Sequence, residues 1–282
     1  MTKHYAVIGD PIAHSLSPVM QNAGFRAAGI DADYSAKHVS REGLEKFAEK
    51  ARSELSGFNI TVPHKNAIIP FLDELSENAR LCGSVNTVTI KDGKLKGEST
   101  DGYGLETALN ESFGIDIAEN SFCFLGCGGA ARAAAFYFAS KGPRRIFFIN
   151  RTVTKADELA SEISNAFPGF ETAACSPLDD ALVKEFLAES KVLIQCTSLG
   201  LKPDDPPPID PEIIPEGICL YDTIYKKTAL LEYASENDIR YADGRSMLLH
   251  QGAKSFSIWT GVSAPVEAMR EALYCAIESR GK

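Results

Sequence analysis

Ser15, Ser17, Asn59, Lys65, Asn86 and Asp101 are polar residues of the leading part of the chain that fall at strand ends and in loops, where no single helix face could carry them all. That spacing predicts that they converge on one cleft, where the leading unit would hold a substrate. The first strand ends in the turn Gly9-Asp10-Pro11, and Pro18 stands where a helix would begin. The hydroxyls of Ser15 and Ser17 beside the positive end of that helix would make a site for a small carboxylate. The plainer alternative has Ser17 capping the helix and Ser15 solvated. Further on, Asn59-Ile60-Thr61-Val62-Pro63-His64-Lys65 ends a strand with polar side chains alternating outward and a lysine just past Pro63.

A second kind of chemistry is written at Gly126-Cys127-Gly128-Gly129-Ala130. A glycine loop between a strand and a helix lets backbone amides approach a pyrophosphate, and the helix dipole favours the anion. Here the loop follows the strand Phe122-Cys123-Phe124-Leu125 and opens an alanine-rich helix, the context a dinucleotide site requires. About 20 residues on, an acidic residue would bond the ribose 2′-hydroxyl of NAD. The chain has Asn150-Arg151-Thr152 there, with Lys155 one turn later. Cations in place of a carboxylate suit a 2′-phosphate, which favours NADP(H) over NAD. The alternative is a helix N-cap at Thr152 followed by a solvated lysine. Against it, a cation in a first helical turn costs about 0.3–1 kcal/mol unless an anion is near, and both Arg132 and Lys155 would bear that cost. The Tyr137-x-x-x-Lys141 pair resembles that of short-chain dehydrogenases but lies deep in the same helix, roughly 13 Å from the phosphates at a rise of about 1.5 Å per residue. It reads as a packed aromatic and a cation balancing the helix dipole.

These residues need elements to position them. Strand and helix patterns alternate over 5–8, 18–28, 33–37, 44–51 and 57–62, followed by helical stretches at 67–71 and 73–81. A hairpin over 84–90 and 94–97 turns at Asp92-Gly93, and Asp101-Gly102 reads as a break. A second alternation has strands at 122–125, 146–149, 192–195, 218–221 and 239–241. The prolines at 203, 206–208, 211 and 215 mark a rigid surface connection within it. The pattern then turns helical to the end, with Met247, Phe256, Trp259, Met269 and Leu273 among its apolar positions. The fold expected is α/β in two domains. Residues 1–101 with 244–282 form a discontinuous substrate domain on a mainly parallel sheet, and 102–243 a Rossmann-type doubly wound NADP domain. Trp259 and the aliphatic C-terminal helix can pack internally or at the face of a homodimer.

A length of 282 residues, 44% hydrophobic content and a net charge of −9 fit a two-domain globular protein acting on small molecules rather than on nucleic acid. No apolar stretch approaches the ~20 residues of a membrane span, and the chain is expected to be cytoplasmic. The 7 cysteines are scattered, without a Cys-x-x-Cys pair, so neither a disulfide nor a metal site is expected.

Taken together, His14-Ser15-Leu16-Ser17-Pro18, Val62-Pro63-His64-Lys65, Val85-Asn86-Thr87, Asp101-Gly102, Asn150-Arg151-Thr152, Gly244-Arg245-Ser246 and Gln251-Gly252-Ala253 resemble the shikimate dehydrogenase family over essentially the whole chain. The resemblance implies NADPH-dependent reduction of 3-dehydroshikimate to shikimate on the route to aromatic amino acids. It implies that Ser15 and Ser17 hold the substrate carboxylate, that Thr61, Asn86, Tyr225 and Gln251 bond hydroxyls or the reacting oxygen, and that Lys65 and Asp101 are the catalytic pair. Cofactor contacts would fall on Gly126, Gly128, Gly129, Ala130, Asn150, Arg151, Thr152, Lys155, Thr223 and Gly244. The chain departs from many relatives at Gln21, at Gln195-Cys196 and at Lys226-Lys227. A quinate dehydrogenase of the same fold is the nearest rival, and its frequent preference for NAD conflicts with Arg151. A non-catalytic ligand sensor on this scaffold would have lost Lys65 or Asp101, and both are present.

Overall fold

Tyr5-Ala6-Val7-Ile8 alternates its side chains between two apolar surroundings, and the computed structural model, which describes residues 2–202 and 204–280, shows both. Met1, Pro203 of the proline-rich connection, Gly281 and Lys282 lie outside the described residues. In chain order the elements are β1 (Lys3–Gly9), α1 (Ser17–Ala27), β2 (Ala32–His38), α2 (Leu44–Glu54), β3 (Gly57–Ile60), β4 (Glu74–Leu75), α3 (Glu77–Cys82), β5 (Thr87–Lys91), β6 (Lys94–Glu98) and α4 (Asp101–Phe113). They continue with β7 (Phe122–Leu125), α5 (Gly129–Ala139), β8 (Ile146–Ile149), α6 (Val153–Ala166), β9 (Thr172–Cys175), α7 (Asp180–Glu189), β10 (Val192–Gln195), β11 (Cys219–Asp222), α8 (Ala229–Glu236), β12 (Tyr241–Ala242), α9 (Arg245–Thr260) and α10 (Val266–Arg280). The chain divides into two compact units: one runs up to Gly104 and resumes at Leu248, and the other is Leu105–Met247. Both divisions fall inside helices, α4 and α9, beyond the 101/102 and 243/244 junctions read from the sequence.

In the first unit a six-stranded sheet has the order β2-β1-β3-β5-β6-β4. Its β1–β2, β1–β3 and β4–β6 pairs are parallel, and the β3–β5 and β5–β6 pairs are antiparallel. Ala6 and Ile8 face Leu44, Ala48 and Ala51 of α2 together with Phe58, Val88 and Leu95. Tyr5 faces the other way, stacking on Phe25 of α1 at 5.2 Å and on Trp259 of α9 at 4.8 Å. Trp259 also donates its indole N–H to the Val88 carbonyl at 3.0 Å, so of its two expected settings it takes the internal one. Met269 of α10 lies against Gly24 of α1, which brings the end of the chain onto the layer where the chain begins. Each of these fully buried large side chains contributes roughly 1.5–3 kcal/mol through burial.

The second unit carries an all-parallel sheet of order β12-β11-β10-β7-β8-β9. Its strand order reverses beside β7, which puts the loop after β7 at the topological switch point where doubly wound sheets bind ligands. One face packs Leu125, Ile149, Leu193 and Leu220 against Val183, Phe186, Leu230 and Leu231 of α7 and α8. The other sets Phe122 and Phe124 edge-on to Phe138 of α5.

Some local expectations change. The stretch 73–81 is not one helix: Glu74–Leu75 pairs with β6, and Ser76 starts α3 by accepting the Ala79 N–H at 3.2 Å. Asp73 holds that strand in place by accepting the Leu95 N–H at 2.7 Å. The strand expected over 57–62 stops at Ile60, since His64 N–H donates to the Thr61 carbonyl at 2.9 Å and closes a turn. Asp101-Gly102 opens α4 instead of breaking the chain. β9, with the sequence Thr-Ala-Ala-Cys, has no strong strand formers, and its pairing with β8 makes it a strand. The hairpin between β5 and β6 turns at Asp92 and Gly93, both with positive φ. Among the described residues no helix is long and apolar enough to cross a membrane.

Candidate active site

Strands β1 and β3 are parallel neighbours, so the loops that follow them leave the same edge of the first sheet, and Asp10 N–H ties them by donating to the Val62 carbonyl at 3.2 Å. The first loop carries Ser15 and Ser17. Leu16, not Ser17, occupies the N-cap of α1, and the Ser15 hydroxyl accepts the Ser17 N–H at 3.3 Å. The second carries Thr61, half-buried, whose hydroxyl has no partner among the described residues, and then Lys65. His64 is fully buried and pins this turn through its Nε2–H, which donates to the Val39 carbonyl at 2.6 Å.

Lys65 Nζ stands 2.5 Å from Asp101 Oδ2, with the side chains 17% and 6% exposed. Asp101 sits in the first turn of α4, where the helix dipole stabilises a carboxylate. Its other oxygen accepts from Asn86 Nδ2 at 2.8 Å. The same amide nitrogen reaches Thr100 Oγ1 at 2.9 Å and Gln251 Oε1 at 3.3 Å, while Asn86 Oδ1 accepts the Thr100 N–H at 2.8 Å. Gln251 is oriented in turn by donating to the Leu248 carbonyl at 2.8 Å. An ammonium has three N–H donors, and a single described residue, Asp101, accepts from this one, which leaves donors for a ligand oxygen. The set is therefore a cation fixed by a buried carboxylate, flanked by two oriented amides.

Asn59, expected in the cleft, is buried beneath it. Its amide donates to the Asn86 carbonyl at 2.9 Å, Thr87 Oγ1 at 3.0 Å and Ser255 Oγ at 3.1 Å, and its carbonyl accepts from Tyr34 at 2.7 Å. Burial pushes the Tyr34 phenol well above its ordinary range, which keeps it a donor. Ser255, fully buried, also bonds Thr87 Oγ1 at 2.8 Å and the Gln251 carbonyl at 3.0 Å. Sequence reading missed Ser255, Thr87 and Tyr34. For Ser255 the signal was available: it follows Gln251 by four residues on a helix and so shares its face.

In the second unit Gly126 has a φ of +92°, and an added Cβ would lie 2.9 Å from Thr197 Cγ2, so both conformation and space demand glycine. Gly128 and Gly129 are exposed with open space above them, and Ala130 continues α5, whose first amides have no side-chain cap. Asn150 donates to the Thr152 carbonyl at 2.8 Å. Thr152 takes the N-cap position of α6 without a capping hydrogen bond from its side chain. Arg151 and Lys155 are exposed and meet no carboxylate among the described residues. Arg132 differs from the expectation drawn for it: its guanidinium pairs with Glu162 and lies 5.0 Å over the Phe136 ring, so its dipole cost is met by the protein itself. Tyr137 donates to Glu106 at 2.5 Å and Lys141 lies over its ring, a surface cluster.

Thr223 donates twice to the Gln195 carbonyl, from N–H at 3.0 Å and Oγ1 at 2.9 Å. An added Cβ on Gly244 would fall 2.1 Å from the Thr223 carbonyl, so Thr223 and Gly244 meet backbone to backbone. Tyr225 is half-buried in the loop between β11 and α8, in this second unit. Burial pushes the Cys127 thiol up to about 12, which keeps it protonated beside the glycine loop. Of the departures, Gln21 is fully buried and joins α1 to α9 by donating to the Gly252 carbonyl at 2.9 Å. Gln195 donates to the Leu199 carbonyl at 2.9 Å, and Lys227 pairs with Glu232 at 2.8 Å.

Comparison with known proteins gives a consistent answer. Residues 7–88 match the shikimate dehydrogenase substrate binding domain, residues 107–200 the shikimate / quinate 5-dehydrogenase domain, and residues 244–274 the shikimate 5'-dehydrogenase C-terminal domain. The chain is 42% identical to the shikimate dehydrogenase (NADP(+)) of Desulfitobacterium hafniense over 98% of its own length and 99% of that protein's. It is 37% identical to the corresponding enzyme of Symbiobacterium thermophilum over 97% and 94% of the two chains. The crystal structure of shikimate 5-dehydrogenase from Thermus thermophilus, in complex with NADP(H) and shikimate, superposes with a TM-score of 0.87 at 32% identity, covering 98% of this chain and 100% of that one. With similarity running the full length of both sequences, and with family models matching its substrate-binding, central and C-terminal parts, the chain belongs to the shikimate dehydrogenase family.

Proposed function

We propose that the chain is an NADP-dependent oxidoreductase that reversibly reduces 3-dehydroshikimate to shikimate, acting in the cytoplasm on the route to aromatic amino acids. The observation that carries this reading is the Lys65–Asp101 pair, 2.5 Å apart and largely buried, with lysine donors left over for a ligand. Hydride addition to a ketone puts negative charge on the carbonyl oxygen. The Lys65 ammonium stabilises that charge, an effect typically worth about 10²–10³-fold, and supplies the proton, typically worth about 10²–10⁴-fold. Asp101 holds the ammonium in place, and Asn86 and Gln251 orient the ring hydroxyls. Ser15 and Ser17 bind the substrate carboxylate, and Thr61 and Tyr225 complete the contacts. The unit that runs up to Gly104 and resumes at Leu248 is then the substrate domain, and Leu105–Met247 the cofactor domain.

The open backbone at Gly128 and Gly129 fits a pyrophosphate, and Arg151 and Lys155, exposed and without a carboxylate partner among the described residues, fit a 2′-phosphate. Bound NADPH supplies the hydride. Gly126, Ala130, Asn150 and Thr152 shape its phosphate and ribose side, and Thr223 and Gly244 its nicotinamide side. The test is absorbance at 340 nm with shikimate and quinate, each with NADP+ and NAD+. Turnover is expected to be fastest with shikimate and NADP+. Faster turnover of quinate with NAD+, or none with any pair, overturns the reading.

A further inference from the structure

At the carboxyl end of β11 the Asp222 side chain is fully buried, and no cation among the described residues pairs with it. One carboxylate oxygen accepts the Ile224 N–H at 2.9 Å, and the other accepts the Thr228 hydroxyl at 2.7 Å. Thr228 in turn accepts the Leu231 N–H at 3.3 Å and so caps α8. Asp222 thereby grips both ends of segment 223–228, which carries Thr223 and Tyr225. Two close approaches hem the segment in. Gly244 leaves no room for a Cβ beside the Thr223 carbonyl, and a Cβ on Gly200 would fall 2.6 Å from Thr228 Cγ2.

Burying this carboxylate without a cation is unfavourable, and it pushes the acid up to about 6, with Asp243 adding repulsion. An uncharged side chain would relieve that cost. An asparagine in its place would accept the Ile224 N–H and could meet Thr228 only by reversing that bond, donating to a hydroxyl oxygen that already accepts the Leu231 N–H. Only a carboxylate accepts at both ends of the segment, which gives a physical reason for retaining the charge.

We infer that Asp222, acting through Thr228, is a positioning residue that fixes the 223–228 segment for catalysis. The inference rests on the proposed shikimate reaction and adds to it a residue that touches neither substrate nor cofactor. The test compares Asp222→Asn, Thr228→Val and Thr228→Ser with the wild type in steady-state turnover of shikimate with NADP+ and in hydrogen exchange over 223–228. Asp222→Asn and Thr228→Val are expected to lower kcat/KM at least tenfold, mostly through KM, and to speed exchange in the segment. Thr228→Ser, which keeps the hydroxyl, is expected to stay within threefold of the wild type. Unchanged kcat/KM in folded variants, or Thr228→Ser as impaired as Thr228→Val, overturns the inference while leaving the reaction standing. If Asp222→Asn does not fold, the Thr228 pair decides alone. Absence of wild-type turnover overturns the reaction instead, and the exchange measurements then decide whether the grip exists: unchanged exchange in the variants refutes it.

Discussion

The lysine–aspartate set and the glycine-loop region are built on opposite plans. Beneath Lys65 the polar side chains are buried and bonded to one another, in a network from Tyr34 through Asn59, Ser255 and Asn86 to Asp101. In the glycine-loop region the working groups are exposed backbone and cations that meet no carboxylate among the described residues, fixed by their position after a strand and held by few side chains. The first plan preorganises donors where charge develops on a reacting atom, so no reorganisation is needed during the step. The second leaves a polar surface to be completed by a large anionic ligand. The two regions should therefore respond differently to substitution.

The largest expected effect is at the centre of the network. Lys65→Ala should lower kcat by about 10²–10⁴-fold while shikimate still binds, measurable by turnover and by calorimetric titration. Turnover at the wild-type rate would erase the distinction between the regions.

Two buried aspartates sharpen it further, since among the described residues Asp101 has a cation and Asp222 does not. The Asp222 acid is raised from 3.8 to about 6, so its stabilising contribution is complete below the unfolded value near 4 and is lost as pH rises through about 6. The wild type should gain on the order of 2–3 kcal/mol from this group between pH 7 and pH 4. Asp222→Asn should lack that increment, and urea denaturation of both proteins at several pH values reads the difference. Equal pH slopes would mean that the carboxylate is not buried as charged.

On the exposed side, Arg151→Ala should raise KM for NADP+ about 10- to 100-fold and leave KM for NAD+ unchanged, because only the 2′-phosphate loses a charged partner. An equal change for both cofactors would remove the guanidinium from the 2′-phosphate. The smallest effect belongs to the base of the network: Ser255→Ala should cost roughly 1 kcal/mol in thermal or urea unfolding, with a modest loss of kcat/KM. No change in either would show that the buried hydroxyls are replaceable by packing.

The sequence made the central strands of the second unit legible to the residue. Strands at 122–125, 146–149 and 192–195 stand where their apolar runs predict, because contiguous β-formers between turn signals carry their own information. β9 was illegible since its alanines gain strand character only from pairing with β8. In the first unit the hairpin at Asp92-Gly93 was readable from its turn residues, whereas β4 was hidden inside a helix-like run.

What the sequence determined by itself is whatever depends on neighbours along the chain: the glycine turn, the cations after β8, the alternation of strands and helices. Only the tertiary structure decided which polar groups meet. It brought Lys65 to Asp101 across 36 positions, Asn86 to Gln251 across 165 and Asn59 to Ser255 across 196. It also gave Arg132 a carboxylate that its local surroundings lack. A hydrogen bond between distant residues is fixed by the closure of the chain around a packed core, and no local pattern of side chains encodes where that closure will place two atoms.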